Sequence, residues 1–206
     1  MNLFVLDTNP LTAATALNDK HVLKMILETA QLLDGGTRPI MQAIQPNQTH
    51  EIVGIPASQK NNPCILSASS EIVWDYAHRH FIGLLGEYRY RYGKRHSYDT
   101  EDMRRKLTER GNSARNGMSG AGFYLAMPDA HKGRDKRGLA SLAQAVVSYR
   151  SYYSREKTSF GTVPKPATWK RRAPPVWLTR TMNDLDYQRN LSSDGHYHFY
   201  QKKVTA

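Results

Sequence analysis

The 206 residues have the length of one ordinary domain and are enough to bury a substantial core. Lys plus Arg number 29 against 18 Asp plus Glu, a formal charge of +11, and such an excess most often serves a polyanionic partner, nucleic acid first. Cys64 is the only cysteine, which excludes an internal disulfide. No Cys/His cluster has the spacing of a zinc site and no apolar run approaches membrane-spanning length, so a protein without metal, cofactor or membrane is expected in a reducing, intracellular compartment.

Leu3 to Leu6 form a short apolar run closed by Asp7-Thr8-Asn9-Pro10, where Asn9 can cap and Pro10 can open a short helix through Leu17. An Asp after an apolar run also resembles the opening of PIN-type nucleases, which would use Asp7 to bind metal. That fold needs further strands ending in acidic residues, and none follows, so Asp7 reads better as a cap or turn residue.

Asn18 to Leu33 is the most informative stretch. At about 100° per residue, Val22, Met25, Ile26, Thr29, Ala30 and Leu33 form an apolar arc. Lys20, His21, Lys24, Glu28 and Gln31 gather opposite it. An imidazole, a carboxylate and two amines within about two turns are chemistry-capable groups, although Lys24 and Glu28 also make an ordinary i,i+4 pair.

Asp34 to Asn62, with Gly35-Gly36 and several prolines, is expected to be a long loop, with Ile52 to Ile55 a candidate edge strand. Asn62-Pro63 signals another helix start, and the pattern through Trp74, Phe81, Leu84 and Tyr88 runs to Gly93, broken near Ser69-Ser70 or Gly83. Its end alternates Arg89 and Arg91 with tyrosines and continues into Lys94-Arg95-His96. Cations suit a helix C-terminus, and the same residues would also neutralise phosphates while the rings stack on bases.

Asp99 or Thr100 can cap a helix through Arg110. The glycine-rich stretch 111–122 has no P-loop signature and reads as a mobile loop carrying Arg115. Basic Lys132 to Arg137 precedes a helix from about Gly138 to Arg155, with Leu139, Leu142, Ala143, Val146, Tyr149 and Tyr153 as its core face. Trp169, Lys170, Arg171 and Arg172, between prolines, form a second basic-aromatic segment. The expected architecture is a mainly α, all-helical single domain, 1–178, of four to six helices with long basic loops, followed by a polar and aromatic tail, 179–206.

Leu17-Asn18-Asp19-Lys20-His21, followed seven residues later by Glu28, resembles the first long helix of the pyrimidine-dimer DNA glycosylase/AP lyases of the phage endonuclease V type. Pro166-Ala167-Thr168-Trp169-Lys170 is similar to that family's C-terminal segment near bound DNA. The resemblance implies an all-α domain without a metal, duplex DNA as partner, and residence in the cytoplasm of a bacterial or phage-infected cell. It also implies that an amine attacks the sugar C1′ while Glu28 stabilises the cationic sugar, with His21 orienting substrate or phosphate. Met1, or else Lys20 or Lys24, would supply the amine, because Asn2 disfavours the Met removal that exposes the family's nucleophile. Leu27 stands where the family holds an arginine beside its Glu. The residues expected on DNA are Lys20, Arg89, Arg91, Lys94, Arg95, Arg115, Trp169, Lys170, Arg171 and Arg172. Two other expectations stand beside a glycosylase: a phage base-modifying transferase, and a non-catalytic DNA-binding protein.

Overall fold

A short helix, α1 (Pro10–Ala16), starts where the Asn9 side chain accepts the Leu11 N–H and Pro10 takes the first turn. The computed structural model describes residues 1–120, 122–132, 138–160, 165–178, 187–191 and 196–201. The chain is mainly helical: α2 (Asp19–Ile44), α3 (Pro63–Ser67), α4 (Glu71–Tyr92), α5 (Glu101–Ala114) and α6 (Leu142–Glu156) follow, with short 3₁₀ turns between them. Small antiparallel pairings lie around this body: β1 (Phe123–Tyr124) with β2 (Leu139–Ala140), and β3 (Ser159–Phe160) with β4 (Lys165–Pro166). A three-stranded sheet places β7 (His196–Gln201) between β5 (Thr168–Lys170) and β6 (Tyr187–Leu191). The tail thus contributes two strands, although most of its residues and the basic run after Lys132 lie outside the described set.

Helix α2 is the axis, packed on α3, α4 and α5, and its length corrects the expected loop. It runs through Gly35-Gly36 and even Pro39 before ending at Ile44. The glycines serve close approach rather than termination: a Cβ on Gly36 would lie 2.7 Å from the Ala68 backbone. Asp34 then draws residues 50–53 back onto the helix. Its carboxylate, fully buried, pairs with Arg38 and with Arg110 at 2.9 Å, and accepts the Ile52 and Val53 N–H groups at 3.2 and 3.1 Å. These bonds replace the strand expected at 52–55.

The other boundaries follow local chemistry. The expected break near Ser69-Ser70 separates α3 from α4, and Gly93 ends α4 at φ +67 in the left-handed region. Thr100 caps α5, which continues past Gly111 into the stretch expected to be a loop, and at Gly111 the Trp74 ring occupies the space where a Cβ would sit. Helix α6 opens on a capping box, Ser141 with Gln144. Leu139 therefore falls on β2 and is exposed, as is Ala143, while Val146, Tyr149 and Tyr153 are buried as expected.

Leu3 to Leu6 are buried, as expected, and this opening segment is threaded between α2 and α6. Asn2 accepts from the Tyr149 hydroxyl at 2.8 Å and donates to the Ala126 carbonyl at 2.9 Å, and Arg150 donates to the Leu6 carbonyl at 2.7 Å. That threading covers part of the α2 face that the sequence pattern leaves open.

Candidate functional site

Glu28 sits in the middle of α2, where the covering segment stops. Asn2 donates its backbone N–H to Oε2 at 3.2 Å, and Lys24 Nζ lies 3.2 Å from Oε1. The Glu28 side chain is 14% exposed, and the exposed part faces a cavity of about 700 Å³. Met1, Lys24 and Gln31 line the same cavity, with the 56–59 turn on one side and His96 and Tyr98 beyond α4 on the other. The Met1 amine donates to Gln59 Oε1 at 3.3 Å, and Gln31 is held by donation to the Gly54 carbonyl at 2.7 Å.

Three of the expected catalytic groups therefore meet, and His21 does not join them. It is buried under Phe4, ring centroids 4.8 Å apart, with Nδ1 2.8 Å from the Tyr153 hydroxyl. Burial, with Lys157, Lys24 and Lys20 adding like-charge repulsion, pushes its imidazole down to about 3. It is a neutral core group at ordinary pH. Periodicity places it on the Glu28 face, two turns away, but cannot reveal that residues 3–6 close over that end of the face.

The aromatic wall was partly visible in sequence. His96 ends the basic-aromatic run, and it packs edge-on against Tyr88 at 5.2 Å and Tyr98 at 5.6 Å. Its burial lowers its pKa, partly offset by Asp99. Sequence reading missed Tyr98, Gln59 and the Asn2 amide, since a lone polar residue in a loop carries no periodic signal.

The residues expected on DNA divide into two sets. Lys20, Lys94 and Arg95 are exposed, the last two on the turn that leads into His96. Lys170 reaches over the Tyr92 ring at 5.7 Å, and Arg171 is exposed at the adjoining corner. Arg171 has φ +56, a left-handed conformation held by reciprocal bonds: Tyr90 O–H donates to its carbonyl at 3.0 Å and its guanidinium to the Tyr90 carbonyl at 3.1 Å. Arg89 is half-exposed but spent on Asp99 at 2.8 Å.

The second set is structural. Arg91 is fully buried, bonded to Glu87 at 2.7 Å and Asp19 at 2.9 Å. Arg172 grips the same Glu87 at 2.8 Å, and Trp169 is buried with its indole N–H on the Ala16 carbonyl at 3.1 Å. Arg115 pairs with Glu71 and Asp75 at the opposite end of α4. Asp19 completes the network by accepting the Thr168 hydroxyl at 2.6 Å and the Lys170 N–H at 2.9 Å. The segments around Asp19 and Trp169, far apart in sequence, thus meet in one clamp.

Asp7 is engaged as a turn residue, accepting from the Asn9 N–H at 2.9 Å and from Arg150 at 2.9 Å. Among the described residues no group of three or more His, Cys, Asp or Glu side chains could hold a metal ion, and no helix is long and apolar enough to cross a membrane. No family model, no curated protein and no solved structure matches this chain.

Proposed function

We propose that this protein binds duplex DNA and acts on a nucleobase, with Glu28 as the catalytic carboxylate. The observation that carries the reading is the Glu28 carboxylate itself, one side fixed by Asn2 and Lys24 and the other open to a nucleotide-sized cavity with two amines on its walls. An extrahelical nucleotide entering the cavity meets His96 and Tyr98 as stacking surfaces. The +11 charge and the exposed Lys20, Lys94 and Arg95 supply phosphate contacts nearby.

In the glycosylase mode the neutral amine of Met1 or Lys24 forms a bond to C1′ as the C1′–base bond breaks. The bonding pair leaves with the base, which takes up a proton. Opening of the sugar ring then gives an imine, and Glu28 stabilises the positive charge that develops. Removal of a C2′ proton and loss of the 3′ phosphate would complete strand cleavage. A base-modifying transferase would use the same carboxylate without losing the base.

Borohydride trapping on duplexes carrying damaged or hypermodified bases is the direct test. A covalent protein–DNA adduct that disappears in Glu28→Gln is expected, and mass spectrometry of the released base or the modified strand separates glycosylase from transferase. A Glu28→Gln protein that keeps base release or modification would remove Glu28 from the chemistry, and a wild type that yields neither adduct nor altered base would leave only DNA binding.

A further inference from the structure

Two leucines stand on the solvent side of α2 at the mouth of the Glu28 cavity. Leu23 is 45% exposed and Leu27 41% exposed, and both line the cavity. Four positions apart, they project from one side of the helix as a paired ridge. Lys20 and Lys24 flank them along α2, and Lys94 and Arg95 are exposed beside His96 on the facing wall. An apolar ridge inside a cationic rim, at the entrance of a nucleotide-sized space, matches one kind of surface: stacked bases flanked by phosphates. A second copy of this chain would bring the same cations face to face.

Resting on the base-acting reading above, we propose that Leu23 and Leu27 form the wedge that enters the base stack and fills the gap left when a nucleotide turns into the Glu28 cavity. Apolar side chains do this in kinked duplexes because a stacked neighbour tolerates a methyl-bearing surface better than water. The helix is suited to the task. Val22, Met25 and Ile26 seat its other side in the core, so the ridge is carried on a rigid support and does not retreat when pressed.

The test uses the full chain, a duplex with a T·T mispair flanked by 2-aminopurine, and its fully paired control. The wild type is expected to raise 2-aminopurine fluorescence severalfold on the mispaired duplex. Leu23→Ala/Leu27→Ala should lose at least four-fifths of that rise, while its melting temperature and the slope of log affinity against log salt stay unchanged. Leu27→Met should keep the response.

A double-alanine protein with the wild-type fluorescence response overturns the wedge. So does one whose only change is dissociation of a homodimer in sedimentation equilibrium, since the ridge would then be a subunit contact. Glu28→Gln separates the two readings. A retained fluorescence response without base chemistry in any variant keeps the wedge and removes the catalytic assignment, whereas a wild type that does not bind duplex DNA removes both.

Discussion

Helix α2 carries three carboxylates and uses them in two ways. Asp34 and Asp19 are saturated: the first holds Arg38, Arg110 and two backbone N–H groups, the second Arg91, the Thr168 hydroxyl and the Lys170 N–H. Glu28, between them, has one neighbour on each oxygen and an open edge on the cavity. Asp34 and Asp19 bind one part of the chain to another, because their donors come from segments far apart in sequence. A carboxylate with lone pairs to spare keeps them for something that arrives from outside.

The sharpest way to break this contrast is to remove each group in turn. Asp34→Ala leaves Arg110 uncompensated in the interior and is expected to cost about 3–5 kcal/mol in denaturant unfolding. Glu28→Gln should change stability by less than about 1 kcal/mol, yet slow base chemistry by roughly 10²–10⁴-fold in single-turnover assays. Equal stability losses in the two variants would erase the distinction.

A backbone test comes next. Gly36→Ala forces a Cβ to within 2.7 Å of Ala68, pushing α3 off the Asp34 end of α2, and should destabilise by about 1–3 kcal/mol in thermal unfolding.

His21 gives the corresponding pH test at the covered end of the Glu28 face. Its folded pKa, about 3, lies below the ordinary 6.5, so the unfolded chain takes up the proton first. Its contribution to stability is complete above about pH 6.5 and is lost as pH falls towards 3. His80, lowered to about 4 by burial, acts in the same direction. His21→Asn should flatten the acid limb of stability against pH by up to about 1.4 kcal/mol per pH unit, leaving the pH profile of base chemistry unmoved. A changed activity profile would put His21 back at the site.

The smallest effect is expected at the outer edge of the Asp19 clamp. Arg171→Gly relieves the left-handed backbone, worth about 1 kcal/mol, while lowering the slope of log DNA affinity against log salt by about one.

Much of this fold was legible because its signals are local. Asn9-Pro10, Asn62-Pro63, Thr100 and Gly93 mark helix ends by capping chemistry that needs no tertiary information. Gly35-Gly36 misled because glycine in sequence means either a stop or a close approach, and only the position of Ala68 decides. At the site, Lys24 and Glu28 follow from helical spacing, and their meeting with Met1 does not. His21 and Arg91 show the same limit from the other side. Both have the residue type of a functional group, and both are consumed by partners far away in sequence, Tyr153 and Asp19.

The Asp19 clamp has a kinetic consequence. Its bond to Thr168 joins positions 149 residues apart, so it closes one of the largest loops in the chain and is expected to form late in folding. In a Trp74→Phe/Trp177→Phe background, the fluorescence of Trp169 should therefore report burial later than far-ultraviolet circular dichroism reports helix formation. The segment around Thr168 and Trp169 would be the last to fold and, by the same contacts, the first to detach under mild denaturant.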